Sequence, residues 1–134
     1  MKEINELEFP EDLRYAEDHE WTRVVGEVVR IGISDYAQDQ LGDIVFVELP
    51  EAGDRFDKGA EFGTVESVKA VAELFMPVGG EIVAVNRALE ESPELVNKKP
   101  YTEGWMIDVR RADNAEAEAL MSKDDYIEFL KGKG

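Results

Sequence analysis

Phe62-Gly63-Thr64-Val65-Glu66-Ser67-Val68-Lys69-Ala70-Val71-Ala72-Glu73 holds one cation, Lys69, among β-branched, small and acidic residues. No other Lys or Arg lies between Lys58 and Arg87, a gap that contains Glu61, Glu66, Glu73 and Glu81. The β-branched content and the lack of a helix start make Phe62 to Met76 extended. Propensity runs one strand through the segment, because Val68-Lys69 offers none of the Gly, Asn or Asp that tight turns favour. A solvated lysine on a strand edge is the ordinary reading of such a residue. Periodicity alone leaves one strand or two open.

The flanks are also strand-rich. Upstream, Trp21–Val25 and Val28–Ile33 are β-branched runs around Gly26-Glu27, the signature of a hairpin with a type II′ turn. Ser34 to Gly42 reads as a short helix, with Ser34 as its N-cap, Asp35 at the positive end of its dipole and Gly42 as its stop. Ala37 and Leu41 would face the core. Asp43–Leu49 is a strand ended by Pro50. Downstream, Pro77, Gly79 and Gly80 make a turn. Glu81–Val85 is then a strand, with Ile82 and Ala84 on one face and Val83 and Val85 on the other. Asn86–Asn97 holds a one-turn helix before Pro100, and Trp105–Val109 is the last strand. From Asn114 the chain turns to helix formers, with a Ser122/Asp125 capping pair and a stripe of Tyr126, Phe129 and Leu130. The class is mainly β, with short helices and a C-terminal helix. One domain over 1–134 is expected: an acidic segment 1–20, a strand-rich core about 21–109 and a helical segment about 114–131. Within 1–20, Leu7, Phe9, Leu13 and Tyr15 are the residues able to pin acidic surface to a core.

Composition narrows the chemistry. The 134 residues hold 15 Lys+Arg against 31 Asp+Glu, a net charge of −16, which disfavours nucleic acid and anionic lipid as partners. With no cysteine there is no disulfide, thiolate metal site or thiol nucleophile. With one histidine, His19, a multi-histidine metal site is impossible, and no metal is expected. No Gly-x-Ser-x-Gly elbow, phosphate-binding loop or calcium loop is present. A hydrolase using His19 is therefore the weakest of the functional readings, and His19 reads as a structural residue beside Trp21. The N-terminus lacks the basic and apolar regions of a secretory signal and the arginine-rich character of a transit peptide. The expectation is a cytoplasmic protein, or a mitochondrial-matrix one if this is a eukaryotic mature form.

Val65-Glu66-Ser67-Val68-Lys69-Ala70 resembles the lipoyl-attachment motif of glycine cleavage system H proteins. His19-Glu20-Trp21, Ile31-Gly32-Ile33-Ser34, Ala37-Gln38-Asp39, Leu41-Gly42-Asp43, Val45–Pro50 and Pro100-Tyr101-x-x-Gly104-Trp105-Met106 resemble the same family in order and spacing. Two departures stand out. Gln40 occupies a position where plant members carry His, and Ala70-Val71-Ala72 replaces a frequent Ala-Thr-Ser.

The resemblance implies a barrel-sandwich hybrid of the lipoyl/biotinyl-carrier kind, with Lys69 at an exposed hairpin tip between strands Glu61–Ser67 and Ala70–Met76. It implies lipoic acid joined covalently to Lys69, within a motif formed by Glu66, Ser67, Val68 and Ala70. Attachment would be the work of a lipoate ligase, or of an octanoyltransferase with lipoyl synthase. The implied role is carriage without catalysis. An aminomethyl group passes from glycine decarboxylase (P protein) to aminomethyltransferase (T protein), and dihydrolipoamide dehydrogenase (L protein) reoxidises the arm. Glu20, Gln40 and Glu73 are the implied cleft residues beside the arm. A lipoyl-relay carrier, another lipoyl or biotinyl domain, and a purely structural acidic module are the alternatives.

Overall fold

The computed structural model describes residues 2–132, so Met1, Lys133 and Gly134 of the expected 1–134 span lie outside the described residues. Gly26, at φ +63°, closes the first hairpin. Around it β2 (Glu20–Val25) and β3 (Val28–Ile33) pair antiparallel from Val25↔Val28 to Glu20↔Ile33. Positive φ at the first turn position alone is the II′ geometry, whose twist matches that of the strands. β1 (Arg14–Tyr15), β9 (Ile107–Arg111), β8 (Gly80–Val85) and β5 (Arg55–Phe56) extend this pair into a six-stranded sheet of order β1-β2-β3-β9-β8-β5. A second sheet of order β4-β6-β7 is built from β4 (Ile44–Glu48), β6 (Glu61–Ser67) and β7 (Val71–Phe75). Both sheets are antiparallel. Among the described residues no ladder joins one sheet to the other.

The main core contains Val29, Ile31, Ile82, Ile107 and Val109 from the larger sheet and Val47, Val65 and Leu74 from the smaller. Each such side chain stabilises the fold by roughly 1.5–3 kcal/mol through burial. Helix α1 (Asp35–Leu41) starts where the sequence places it, with Ser34 Oγ accepting from the Ala37 N–H, and stops at Gly42 with φ +81°. Ala37 and Leu41 pack on the main core. A second cluster gathers Leu7, Phe9, Leu13, Tyr15, Trp21, Tyr101, Tyr126 and Leu130, so the acidic segment is indeed pinned. There the rings of Tyr15 and Tyr126 stack at 4.6 Å, and Trp21 Nε1 donates to the Pro100 carbonyl at 2.9 Å. No helix among the described residues is long and apolar enough to cross a membrane.

Three expectations are corrected. A bulge between Ile82 and Ala84 places Ala84 opposite Asp108, so Ile82 and Val85, not Ile82 and Ala84, reach the core. Asn86–Asn97 contains two short helices, α2 (Ala88–Glu91) and α3 (Leu95–Lys98), parted at Pro93, whose predecessor Ser92 is held out of helical conformation. The last strand begins at Ile107 rather than Trp105; the Trp105 N–H closes a turn onto Thr102 and its ring lies under the Arg30 guanidinium at 4.1 Å. The C-terminal segment is helical as expected, in two pieces, α4 (Asn114–Glu118) and α5 (Lys123–Gly132), with the Asp125 N–H donating to Ser122 Oγ at 3.3 Å and Met121 between them paired with Tyr15. Within α5, Tyr126 and Leu130 are buried and Phe129 packs beside them. The short strands β1 and β5 have no counterpart in the sequence reading.

Gly32 faces the Trp21 ring, and a methyl group there would lie 2.7–2.8 Å from ring atoms of a side chain with no exposure. Gly32→Ala is expected to lower unfolding stability by about 2 kcal/mol, as overpacking of a filled core does. Urea denaturation measures it, and an unchanged midpoint would contradict this account of the Trp21 seat.

Candidate functional site

β6 and β7 form a hairpin whose last ladder pair is Glu66↔Val71, so the extended stretch is two strands with Val68 and Lys69 at the tip. A turn without glycine still has to satisfy its amides. Ser67 supplies most of the answer. Its Oγ accepts from the N–H groups of Lys69 and Ala70, both at 3.1 Å, while its own N–H donates to the Ala70 carbonyl at 2.8 Å. The remaining amide, Val68 N–H, donates to the Asp43 carbonyl at 3.0 Å. Every N–H from 67 to 70 is thereby engaged, and the tip is fixed both within itself and to the α1–β4 connection.

That connection is clamped in turn by Asn97 of α3. The Asn97 side-chain amide donates to Gln38 Oε1 and to the Gly42 carbonyl, both at 2.9 Å, and its Oδ1 accepts from the Ile44 N–H at 2.8 Å. Gly42 also makes room for Lys69: a Cβ there would sit 3.2 Å from Lys69 Cε. Val68, Lys69 and Ala70 are exposed, Ser67 is buried, and Glu66 points outward. The motif residues are thus one rigid tip with its lysine presented to solvent.

A cleft of about 390 Å³ opens between α1 and β7. Ile33, Ala37, Leu41, Val65, Ala72 and Leu74 make its apolar wall, and Glu20, Gln40 and Glu73 all line it. The structure therefore brings together the three acid and amide positions singled out in the sequence. They differ in kind. Gln40 and Glu73 are exposed, whereas Glu20 is 1 % exposed. Glu20 Oε2 accepts a long 3.4 Å bond from the Phe75 N–H, while Oε1 has no hydrogen-bond partner. Burial pushes this carboxyl up to about 8, with the Phe75 N–H opposing the rise and Asp18 adding to it.

His19 lines the same cleft with a left-handed backbone, φ +76°. Its Nδ1 lies 2.9 Å from the Tyr126 hydroxyl, which lies 2.8 Å from Ser34 Oγ. Burial raises the Tyr126 phenol far above its ordinary range, so the hydroxyl stays protonated in this relay. Ser34 Oγ caps α1 and is fully buried, a position with no access for a substrate carbonyl. His19 thus ties the cleft rim to α5, as a structural residue does. The sequence reading missed Ser67 Oγ as the turn-former and Asn97 as the clamp. A serine opening a two-residue connection was an available signal for the first, since hydroxyls mimic turn carbonyls. Nothing local marks Asn97.

A sequence model described as Glycine cleavage H-protein matches residues 13–133. The chain belongs to this family. A glycine cleavage system H protein of Bacillus pumilus is 57% identical over 122 residues, covering 91% of this chain and 96% of that protein. One from Bacteroides thetaiotaomicron is 50% identical over 126 residues, 94% of this chain and 100% of its own length. The crystal structure of a glycine cleavage system H protein from Mycobacterium marinum superposes with a TM-score of 0.84 at 35% identity, over 92% of this chain and 99% of that one. As a member of this family, the protein is a lipoyl carrier of the glycine cleavage system and not itself an enzyme.

Two outcomes follow from the geometry. The folded chain holds a proton on Glu20 that the unfolded chain releases, so this group favours the fold below its ordinary pKa and loses that effect as pH rises from about 4.5 to about 8. Glu20→Gln should be more stable than wild type by a margin that widens from pH 5 to pH 8.5, read by thermal denaturation; a margin independent of pH would refute the buried-acid assignment. Ser67→Ala should speed amide exchange at Lys69 and Ala70 by about tenfold, the effect of losing roughly one hydrogen bond. Exchange unchanged at both amides would show that the hydroxyl does not hold the tip.

Proposed function

We propose that Lys69 is the residue lipoylated in this carrier, in a motif completed by Glu66, Ser67, Val68 and Ala70. The single observation that carries this reading is the tip itself: an exposed lysine between two exposed small or branched residues, on backbone whose amides are all engaged. A modifying enzyme needs an accessible amine on a fixed anchor, and a rigid hairpin supplies both. The same reading takes residues 1–134 as one carrier domain and its two sheets as a barrel-sandwich hybrid of the lipoyl/biotinyl-carrier kind. It places the protein in the cytoplasm.

The cleft beside the tip fits the attached group. Its apolar wall suits an alkyl chain, and the unpartnered Oε1 of Glu20 is an acceptor for a hydrogen-bond donor carried at the far end. When bound, the lipoyl group supplies a dithiolane that takes up an aminomethyl unit and is restored by oxidation. The rest is done by this chain. Amide formation removes the Lys69 charge, so the side chain can lie along apolar surface beside Gly42. Ile33, Ala37, Leu41, Val65, Ala72 and Leu74 offer a seated arm an apolar wall from which it would displace water, protecting hydrolysable cargo. Glu20 is poised to release its proton when a cation arrives beside it, because an opposite charge offsets its burial. Gln40 and Glu73 flank the entrance as neutral and anionic hydrogen-bond partners.

Tethering replaces diffusion of the cargo by a local search at high effective concentration. The partners in this reading are glycine decarboxylase, aminomethyltransferase and dihydrolipoamide dehydrogenase, with a lipoate ligase, or an octanoyltransferase and lipoyl synthase, as loading enzymes. Intact mass and peptide mapping of protein from a lipoate-competent host test it. One lipoyl adduct on Lys69, absent from Lys69→Arg, is expected; an adduct on another residue overturns the assignment. Glu20→Gln should acquire the adduct normally and lose loaded cargo faster, followed as ammonia release; release at the wild-type rate would remove Glu20 from the protective role.

A further inference from the structure

The tip does not stand on neutral ground. Six large hydrophobic side chains are conspicuously exposed among the described residues, and four of them surround Lys69: Val45 at 49%, Phe46 at 54%, Val68 at 67% and Val71 at 62%. The other two, Val24 and Val25, belong to the β2–β3 hairpin. Phe46, Glu66 and Val71 form one cross-strand row over β4, β6 and β7, directly beneath Val68 and Lys69. Cross-strand neighbours on one face lie about 5 Å apart, so Phe46 and Val71 flank the exposed Glu66 at roughly twice that separation, with Val45 next to Phe46 and Val68 at the tip above. Large apolar side chains exposed together on one face mark a contact site.

The charge of these strands has one sign. Glu66 lies within the row, Asp43, Glu48 and Glu73 lie around it, and β4, β6 and β7 contain no Lys or Arg at all. The strands of the larger sheet, by contrast, carry Arg14, Arg23, Arg30, Arg55, Arg110 and Arg111. This asymmetry orients the molecule in a partner's field, with the Lys69 face turned toward positive charge.

We propose that this outer sheet face is the seat of the enzyme that acylates Lys69, and that the enzyme meets it with apolar surface for Phe46 and Val71 and basic side chains for Glu66 and the acids around it. The inference rests on Lys69 being the modified residue. Reach selects this occupant. An unmodified lysine extends only about 6 Å from its Cα, by ordinary bond lengths. An enzyme bringing an activated acyl group, as an acyl adenylate or thioester, to Nζ must therefore touch the ground around the tip. In that transfer the nitrogen–acyl bond forms as the bond from the acyl carbon to its leaving group breaks. The lysine ammonium gives up two protons overall, and the leaving group departs with the bonding electron pair. Enzymes that meet the arm after modification work at the end of a longer lever and have no such need. A second copy of this chain is disfavoured, because face-to-face contact would oppose two acidic faces.

The test uses full-length apo-protein with a purified lipoate ligase, lipoate and ATP, and follows adduct formation by intact mass against carrier concentration. Phe46→Ser combined with Val71→Ser should lower kcat/KM for the carrier at least tenfold, mainly through KM, with unchanged Tm. Val45→Ser is the second variant should the pair fail to fold, with an expected loss of severalfold. Val24→Ser with Val25→Ser should leave the rate at the wild-type value. Raising salt should slow loading of wild type at low carrier concentration. Equal kcat/KM for wild type and the patch variants overturns the docking proposal while leaving Lys69 as the site. Absence of any adduct on wild-type Lys69 overturns the modification reading itself. A wild-type dimer in sedimentation that Val71→Ser dissociates would assign the patch to a second copy and overturn the proposal.

Discussion

Two amide protons on one side-chain oxygen hold the business end of this molecule in place. A hairpin connection made of valine and lysine has neither the left-handed tolerance of glycine nor the self-bonding side chain of asparagine. Its backbone amides need acceptors from elsewhere, and Ser67 Oγ takes those of Lys69 and Ala70 while the Asp43 carbonyl takes that of Val68. The arrangement leaves both turn side chains free to face solvent. It also transmits rigidity outward, since Asn97 holds the loop that contains Asp43.

The cleft shows the opposite economy. Glu20 spends its burial without full compensation: one oxygen has a long backbone bond and the other has none. A native fold tolerates such a group where function keeps it, because an unsatisfied buried polar atom otherwise costs of order 1–3 kcal/mol. Glutamine or leucine would satisfy the empty protein better.

How much of this was readable in advance varies with the range of the interactions. The β2–β3 hairpin, α1 with its Ser34 cap and Gly42 stop, and the burial of Leu7, Phe9, Leu13 and Tyr15 all follow from local chemistry, and the sequence displays them. The 67–70 turn was ambiguous because its determinant is a single hydroxyl that also suits a strand. The bulge in β8 was invisible, since alternation predicts Ile82 with Ala84 and only the pairing with β9 shows the slip. The start of α5 was legible in the Ser122/Asp125 pair, whose Oγ accepts from the Asp125 N–H at 3.3 Å, whereas the pairing of Met121 with Tyr15, over a hundred residues upstream, was not. For the site, the resemblance of short motifs pointed to Lys69, Glu20, Gln40 and Glu73, and the last three share one cleft. Residue types alone could not have gathered them, because in so acidic a chain any pair of carboxylates looks alike.

The Tyr126–His19 contact, 107 residues apart in sequence, has a consequence for biosynthesis. A ribosome emits the hairpin bearing Lys69, and then Asn97, well before it emits α5. The nascent chain therefore completes the Lys69 hairpin while the His19 rim of the cleft still lacks its last support. Maturation of the two regions is ordered by chain direction, with the exposed hairpin first and the cleft rim last.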